Sequence, residues 1–282
     1  MIFWIASYPK SGNTWLRTLI SAYYYSKDGI YNENLIKNIG QFPEKKHFQG
    51  FNYLSQVTID TTRFWLKAQE KINEDKKLRF FKTHNILGGL NGNQFTNTKN
   101  TIAAIYIVRD PRNVITSLKN HFEMNDSDAL EFMLNKNKYT YNYHAENDYS
   151  DFQFISSWEN NYKSWRNQKN IPVKFIKYED LNSKTYEVFK DLIKFINITS
   201  KNQNIFNKDK AQKAIYSSSF DNLKTIESKN GFSESVLSKN RTKKISFFHL
   251  GPKNNWKNIF SEDYQNKLTL KFESNLKELN YI

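Results

Sequence analysis

Four short apolar runs along the chain have the length and residue types of β-strands, and they lie at residues 2–6, 78–83, 101–108 and 173–177. The run at 101–108, TIAAIYIV, is continuously apolar after its first residue. Such runs are typical of strands in a parallel sheet with both faces covered. The pattern therefore predicts four strands of a buried sheet.

Apolar positions at helical spacing predict helices between and after these strands. The first helix follows a polar loop and covers about 13–25. Residues 26–55 and 226–257 have no clear period, and we interpret 226–257 as a lid or cofactor loop, because long loops in compact domains are often functional. The other helices are predicted at about 60–76, 111–122, 126–137, 151–168, 183–196, 208–217 and 262–279.

The order of these elements predicts the fold class. Strands that alternate with helices indicate right-handed crossovers and a mainly parallel sheet flanked by helices. No repeat, low-complexity tract or linker divides the chain, so we predict one α/β domain over residues 1–282. Ligands of such sheets bind beyond the carboxyl ends of the strands. Four chemically notable residues follow the four strands there: Lys10, His84, Arg109 and Tyr178.

The loop after the first strand has the features of an anion site. The strand stops at Tyr8-Pro9, and a polar loop, KSGNT at 10–14, leads directly into a helix. This arrangement aims backbone N–H groups and a helix N-terminus at an anion. Lys10 adds a positive charge, while Ser11 and Thr14 add hydroxyl donors. We predict a P-loop-like phosphate site, and an ordinary strand-to-helix turn is the alternative that the other three strand-end residues disfavour.

Composition and charge narrow the choice of ligand less than the pattern does. Aromatic residues make up 16% of the chain, which favours a globular protein despite a mean hydropathy of -0.76. The formal net charge is +14, which suits a nucleotide, a nucleic acid, an anionic membrane or an acidic polymer. A Lys-rich proteome would produce the same balance.

Several classes of site and location are disfavoured by what the sequence lacks. There is no cysteine, so disulfides, thiolate metal sites and thiol nucleophiles are excluded. The histidines show no HExxH-type pairing, and no metal is expected. No signal-peptide pattern or run of roughly 18 apolar residues is present. A cytoplasmic location is therefore expected, and peripheral membrane association stays open.

Two of the strand-end motifs resemble those of the sulfotransferase family that uses 3'-phosphoadenosine-5'-phosphosulfate (PAPS). Residues 8–15, YPKSGNTW, are similar to the family signature YPKSGTTW, with Asn13 where the family often has Thr. Residues 109–122, RDPRNVITSLKNHF, look like the family segment R-[ND]-P-[KR]-[DN]-V-x-x-S-x-x-x-F. In combination these two motifs are strongly specific.

Shorter matches extend the resemblance over nearly the whole chain. KTH at 82–84, YEDL at 178–181 and SSF at 218–220 correspond to the family's KTH, YED-[ML] and T-S-F. Gly251 and the later WKNIF at 256–260 resemble its C-terminal G-x-x-G-D-W-K-N-x-F.

The C-terminal motif also departs most from the family. The family's Arg-Lys pair, which holds the 3'-phosphate, is His249-Leu250 here, and its Gly-Asp is Asn254-Asn255. A neutral His and a Leu cannot replace a bidentate Arg. The missing charge is expected from another basic residue of this loop: Arg241, Lys243, Lys244 or Lys253.

The resemblance implies a role for each matched residue. His84 would deprotonate the acceptor, Lys10 would stabilise the bridging oxygen as its bond to sulfur breaks, and Lys82 of the KTH motif would complete the catalytic set. Arg109 and Ser117 would bind the 3'-phosphate, and Tyr178 would contact the adenine. His121 is interpreted as structural or exposed. The predicted cofactor-binding residues are Lys10, Ser11, Gly12, Asn13, Thr14, Trp15, Arg109, Ser117, Tyr178, Ser218, Phe220, His249 and Gly251.

The resemblance implies that the chain transfers a sulfuryl group from PAPS to a hydroxyl or amine, leaving 3'-phosphoadenosine-5'-phosphate (PAP), without a metal. A nucleotide kinase-like P-loop phosphotransferase is one alternative, but the opening loop lacks the GxxxxGK[ST] spacing. A non-catalytic nucleotide- or nucleic-acid-binding module is another, which the presence of both Lys10 and His84 disfavours.

The acceptor and the assembly state are not determined by the sequence. The acceptor is expected to be a small molecule, a lipid or a saccharide, and no nucleic-acid partner is expected. Specificity would lie in the loops at 41–57, 85–95 and 220–248. The family's dimer motif largely fails to match, so oligomeric state stays open.

Overall fold

The computed structural model describes residues 1–142, 147–238, 240 and 242–282. Its strands are β1 (Ile2–Ser7), β2 (Arg79–Thr83), β3 (Gly89–Leu90), β4 (Asn93–Gln94), β5 (Thr101–Val108), β6 (Tyr139–Thr140), β7 (Gln153–Phe154) and β8 (Val173–Lys177). The four predicted strands form one parallel sheet in the order β2-β1-β5-β8. Two short antiparallel pairs, β3–β4 and β6–β7, lie outside it.

Eleven α-helices are found in the described part of the chain. They are α1 (Asn13–Tyr25), α2 (Trp65–Ile72), α3 (Pro111–Phe122), α4 (Asp126–Leu134), α5 (Trp158–Arg166), α6 (Tyr178–Ser183), α7 (Thr185–Thr199), α8 (Lys208–Ser217), α9 (Phe220–Asn230), α10 (Glu262–Lys271) and α11 (Glu273–Glu278). Short 3₁₀ helices cover Leu35–Asn38, Lys45–Phe48, Asp60–Phe64, Gly251–Lys253 and Trp256–Asn258.

Alternation along the central strands divides the core between the two faces of the sheet. Trp4 and Tyr106 point to one face and pack with residues of α2, α3, α4, α5, α10 and α11. Phe3 and Ile105 point to the other face and pack with residues of α1, α7, α8 and α9. All four side chains are fully buried, as expected for strands covered on both sides. The predicted α/β class with a parallel sheet and flanking helices is confirmed.

Two predictions of local structure were wrong at positions that matter for the site. The helix predicted at 151–168 begins only at Trp158, where the Ser157 side chain accepts a hydrogen bond from the Asn160 N–H. Residues 153–154 instead form β7, which pairs with β6. The predicted loop 226–257 begins as helix, because α9 continues to Asn230 and ends at Gly231, with φ 76°.

Two other helices are shorter than predicted. The element predicted at 60–76 starts as a 3₁₀ turn and ends at Ile72. Asp60 does not cap it, because its carboxylate accepts hydrogen bonds from the Leu54 N–H and the Arg63 guanidinium. The element predicted at 262–279 is interrupted at Phe272, whose ring is buried in the core.

Candidate active site

The four strand-end residues line one cavity at the carboxyl edge of the sheet. Its volume is about 1150 Å³. Parallel strands bring their carboxyl ends to the same edge, so residues far apart in sequence meet there. Of the predicted site residues, all but Ser11 and Ser218 line the cavity: Lys10, Gly12, Asn13, Thr14, Trp15, Lys82, His84, Arg109, Ser117, Tyr178, Phe220, His249 and Gly251.

The opening loop turns sharply between β1 and α1. Lys10 and Gly12 adopt left-handed backbone conformations, with φ 66° and 99°. A side chain at Gly12 would also place its Cβ only 2.5 Å from the Tyr178 ring, so glycine is required there for two reasons. Asn13, the departure from the family signature, donates hydrogen bonds to the Ile5 carbonyl (3.0 Å) and the Ser7 hydroxyl (3.2 Å). Its amide therefore ties the loop to the strand.

Lys10 points into the cavity with little solvent around it. Its Nζ lies 3.9 Å from the centre of the Phe247 ring, a cation–π contact. Burial lowers the pKa of Lys10 to about 7, and the charges of Lys82 and Arg109 act in the same direction. A negatively charged ligand beside Nζ would restore its charged form.

His84 is held in one tautomer. Its Nδ1 lies 2.8 Å from the Ser7 carbonyl oxygen and 3.2 Å from the Ser7 hydroxyl. Because a carbonyl oxygen only accepts, Nδ1 of the neutral ring carries the proton and Nε2 keeps its lone pair. Burial lowers the pKa of His84 to about 3, and Lys82 contributes in the same direction. The ring is therefore neutral near pH 7 and can accept a proton.

The backbone of His84 is fixed by two side chains that the sequence analysis did not single out. Its N–H donates to the Gln153 side-chain oxygen at 2.7 Å. Its carbonyl accepts from the Asn161 amide at 2.9 Å. Gln153 belongs to β7, where a helix was predicted, and Asn161 belongs to α5, where the predicted helix is present.

Glu234 is a third residue that the sequence analysis missed. Its Oε1 accepts from Arg17 Nη1 (2.5 Å) and Lys82 Nζ (3.3 Å), and its Oε2 accepts from the Thr14 hydroxyl (2.7 Å). Burial acts to raise the pKa of Glu234, but Arg17 and Lys82 outweigh it and hold that pKa well below its usual value. A signal existed, because Glu234 is the single acidic residue in the basic stretch 231–257.

Arg109, the first residue after β5, is buried but weakly bonded. Its Nη1 lies 3.4 Å from the Ser117 hydroxyl, its Nη2 lies 3.5 Å from the Gly251 carbonyl, and its guanidinium carbon lies 4.2 Å from the centre of the Tyr178 ring. The Asn254 amide donates to the Ser117 hydroxyl at 3.1 Å. Long contacts of this kind leave the guanidinium free to bind an anion more strongly.

Aromatic side chains lie beside Arg109 and the start of α1. Trp15 and Tyr178 meet edge to face with ring centres 5.6 Å apart. The indole N–H of Trp15 donates to the Ser218 carbonyl at 3.0 Å. Gly251 approaches Phe220 so closely that an added Cβ would lie 2.2 Å from that ring. The result is a slot with π-faces, which suits a planar base.

Buried polar atoms without a hydrogen-bond partner among the described residues include Nε of the cavity-lining Arg109, and Oγ of Ser11 and Ser218, which adjoin lining residues in sequence. Such atoms are costly in a folded protein unless a ligand or water satisfies them. Hydroxyls and a guanidinium N–H can donate to phosphate oxygens. These side chains are therefore chemically suited to a ligand with phosphate groups.

Three of the four residues expected to replace the family's Arg-Lys pair do not line the cavity. His249 lines it but is largely exposed. Lys243, Lys244 and Lys253 are exposed and lie outside the lining. The remaining candidate, Arg241, lies outside the described residues.

The loops predicted to set acceptor specificity contribute unequally to the cavity. Gln41 and part of 220–248 line it, but no residue of 85–95 does. Residues 140–142, Asp151 and Gln153 also line it, because the pairing of β6 with β7 brings them together. His121 also lines the cavity, with its ring edge to face with Phe247 at 5.9 Å.

The described residues contain neither a group of metal-ligating side chains nor a helix that could span a membrane. No group of three or more His, Asp or Glu side chains is placed to hold a metal ion. None of the helices in the described ranges combines the length and apolar character needed to cross a bilayer.

Comparison with known proteins gives similar sequences and similar structures. The chain is 22% identical to cytosolic sulfotransferase 6 of Arabidopsis thaliana over 286 residues, covering 96% of this chain and 77% of that protein. A mouse sulfotransferase complexed with PAP is structurally similar with a TM-score of 0.59, at 20% identity over 98% of this chain and 84% of that one. Retinol dehydratase, solved with androsterone and PAP, has a TM-score of 0.55 at 16% identity, over 98% and 80% of the two chains.

The family model described as "Sulfotransferase domain" matches residues 2–280. The match therefore spans every strand of the sheet and every residue that lines the cavity. It confirms the prediction of a PAPS-dependent sulfotransferase made from the motifs. The chain belongs to the sulfotransferase domain family.

Proposed function

We propose that this protein transfers the sulfuryl group of PAPS to the hydroxyl, or amine, of a small acceptor, with His84 as base and Lys10 at the leaving phosphate. The observation that carries the proposal is the fixed tautomer of His84. Its Nδ1 proton is held by Ser7, the last residue of β1. Lys10 follows that same strand, so one short stretch of backbone supports both reacting groups.

The donor would lie along the cavity with its two phosphate ends apart. The loop N–H groups, Lys10 and Ser11 suit the 5'-phosphosulfate, because they surround a helix N-terminus. Arg109 and Ser117 suit the 3'-phosphate. The slot between Trp15, Tyr178 and Phe220 suits the adenine. The unsatisfied Nε of the cavity-lining Arg109 supports the position of the 3'-phosphate.

In the proposed reaction the acceptor oxygen forms a bond to sulfur while the bond between sulfur and the bridging phosphate oxygen breaks. The acceptor proton moves to Nε2 of His84, and the electron pair of the broken bond stays on the phosphate. Lys10 faces that oxygen and neutralises its charge. A positioned base is typically worth about 10²–10⁴-fold in rate. The negative donor would raise the lowered pKa of both His84 and Lys10.

We propose a small acceptor with an apolar or aromatic body. The acceptor side combines Phe122, Tyr141 and Leu237 with a few polar groups, the usual character of small-molecule sites. Structures similar to this one include retinol dehydratase in complexes with androsterone and with retinol, which supports this class over a saccharide.

Binding of PAP and of ATP with Mg²⁺ tests the proposal against a P-loop phosphotransferase. PAP should raise the melting temperature more than ATP–Mg²⁺ does, because only PAP has a phosphate for Arg109 and Ser117. A larger rise with ATP–Mg²⁺ would refute the proposed donor. A panel of phenols, alcohols and amines with sulfur-labelled PAPS then tests transfer. Binding of PAP without transfer to any member would favour a binding module.

A further inference from the structure

We propose that Glu234 is a positioning residue of the donor site. Its carboxylate fixes Lys82 and Thr14 at the end of the cavity assigned to the phosphosulfate. It also anchors there the described residues between 231 and 258, called here the 231–258 segment. The inference rests on the proposed function, since that function assigns this end of the cavity to the donor. Nothing in the family motifs described above gives this residue a role.

The contacts of Glu234 join three parts of the chain that are distant in sequence. Thr14 and Arg17 lie on one face of α1, three residues apart, and Lys82 lies on β2. Arg17 is itself buried and donates a second hydrogen bond to the Ile39 carbonyl. A carboxylate held by two cations and a hydroxyl forms charge-assisted bonds, which are stronger than neutral ones. Glu234 therefore has a fixed position in the cavity wall.

A second carboxylate holds the 231–258 segment on the other side of Lys10. Glu227, on α9, accepts the backbone N–H groups of Phe247 (2.6 Å) and Phe248 (2.9 Å). These bonds place the Phe247 ring against Lys10 Nζ. Two carboxylates thus hold the segment over the donor end of the cavity. Of these two, Glu234 is the one that bonds to side chains of α1.

Glu234 also balances a concentration of positive charge. Burial lowers the pKa of Lys10 and of Lys82, and the carboxylate of Glu234 acts to raise both. A polyanionic donor requires these lysines in their charged form. The other charged or titratable groups that face the two lysines come from all the neighbouring elements: Arg17, Glu44, His84, Arg109, His121 and Glu227.

The bond from Thr14 gives the anchor a relation to the donor. A threonine hydroxyl has one proton to donate, so Thr14 cannot donate to Glu234 and to a donor phosphate at once. When Thr14 turns to the donor, Arg17 and Lys82 are the groups that keep Glu234 in place. The position of the segment and occupancy of the phosphosulfate end are therefore linked.

Amide hydrogen exchange of the free protein tests the anchor. The N–H groups of Ser235, Ser238 and Ile245 bond within the segment and report its opening. Glu234→Gln should speed their exchange at least tenfold, because a neutral amide makes weaker hydrogen bonds with Arg17 and Lys82 than a carboxylate does. Glu273→Gln is the matched control, since Glu273 pairs with Lys277 on an exposed helix. Unchanged exchange in Glu234→Gln would overturn the anchor.

The pH dependence of PAP affinity tests positioning against a merely structural role. A lower pH favours the charged form of both lysines, so the difference between Glu234→Gln and wild type in PAP affinity should be smallest in acid, within about threefold at pH 6. As the pH rises, the PAP affinity of the variant should begin to fall at a lower pH than that of wild type. By pH 9 the variant should bind PAP at least tenfold more weakly. The additional replacement Lys82→Met should reduce this displacement, because one of the two titrating lysines is gone.

The outcomes separate this inference from the proposed function. If wild type fails to bind PAP at any pH, the proposed function fails, and the exchange experiment still decides whether Glu234 is an anchor. If wild type binds PAP and the two pH curves are parallel, Glu234 does not position the donor groups. If Glu234→Gln is slower to exchange than wild type, the segment is held by other contacts and the inference is wrong.

Discussion

The Nδ1 atom of His84 lies 2.8 Å from the carbonyl oxygen of Ser7. β1 and β2 are neighbours in the sheet, with Ala6 opposite Thr83, so the next residue of each strand meets the other across their ends. The carbonyl can only accept, and Nε2 is left as the basic nitrogen. The pairing of two strands thereby selects the protonation state of the proposed catalytic group.

Replacement of His84 by Ala should reduce sulfuryl transfer by about 10²–10⁴-fold, the usual worth of a positioned base. PAP affinity should stay within about twofold, because His84 faces the acceptor end. Ser7→Ala is the comparison: it removes the hydroxyl that lies 3.2 Å from Nδ1 and accepts from Asn13, but it keeps the carbonyl bond to His84 and the Asn13 bond to Ile5, so transfer should fall less than about threefold. Full activity in His84→Ala would exclude His84 as the base.

Replacement of Gly12 by Ala should weaken PAP binding by at least tenfold, because the new Cβ would meet the Tyr178 ring at 2.5 Å. Gly92→Ala is a matched control. Gly92 has φ 81°, but nothing lies within 4 Å of an added Cβ, so that change should cost only the roughly 1 kcal/mol of a strained backbone. Isothermal calorimetry of both variants measures the difference. Equal PAP affinity would show that Tyr178 can move away.

Replacement of Arg109 by Ala should affect ligands according to their 3'-phosphate. PAP affinity should fall by about 10- to 100-fold, in line with a lost charged hydrogen bond. Adenosine 5'-monophosphate lacks the 3'-phosphate, so its affinity should change by less than about threefold. The comparison of two ligands on one variant controls for misfolding. A similar loss for both nucleotides would place Arg109 elsewhere in donor binding.

The stability of the protein should fall in mild acid because His47 is buried and His84 and His121 are partly buried. Burial lowers the pKa of His47, His84 and His121 to about 3 in each case. The unfolded chain binds protons near pH 6.5 and the folded one does not, so stability is lost as the pH falls below about 6.5. At pH 5 each histidine accounts for up to about 2 kcal/mol of that loss.

His47 allows this pH dependence to be tested away from the cavity. Its Nδ1 accepts the Glu44 N–H at 3.0 Å, and the side-chain oxygen of Asn can take the same role. His47→Asn should therefore unfold with a smaller loss of stability between pH 7 and pH 5 in denaturant titrations. His249→Asn, at an exposed position, should behave as wild type. An unchanged slope in His47→Asn would show that His47 is charged in the folded protein.

Strand ends were the part of the fold that sequence alone could place. The run at 101–108 is apolar because both faces of β5 are covered, and residues that follow such strands must lie at the carboxyl edge. Lys10, His84, Arg109 and Tyr178 were found by that reasoning, and the cavity contains all four. Their chemical roles stay predictions until the variants above are measured.

Contacts between distant segments were beyond that reasoning. Glu234 meets Thr14 across 220 positions of chain, and no local pattern encodes the pairing. The local sequence at 151–157 is compatible with a helix, but Gln153 lies in a strand and its side chain accepts a hydrogen bond from the His84 N–H. A tertiary contact therefore overrode the local preference. The part of the cavity wall formed by residues 140–142, Asp151 and Gln153 was missed for the same reason.

The place of β1 in the sheet has a consequence for how the protein folds. β1 is paired on one side with residues 79–83 and on the other with residues 101–108, both later in the chain. During synthesis the opening loop is made before either partner, and long-range pairing of this kind is slow to form. The newly made strand, with its fully buried Ile2, Phe3 and Trp4, is an exposed apolar segment until β5 has emerged. This segment is consequently prone to aggregation while the chain is being made.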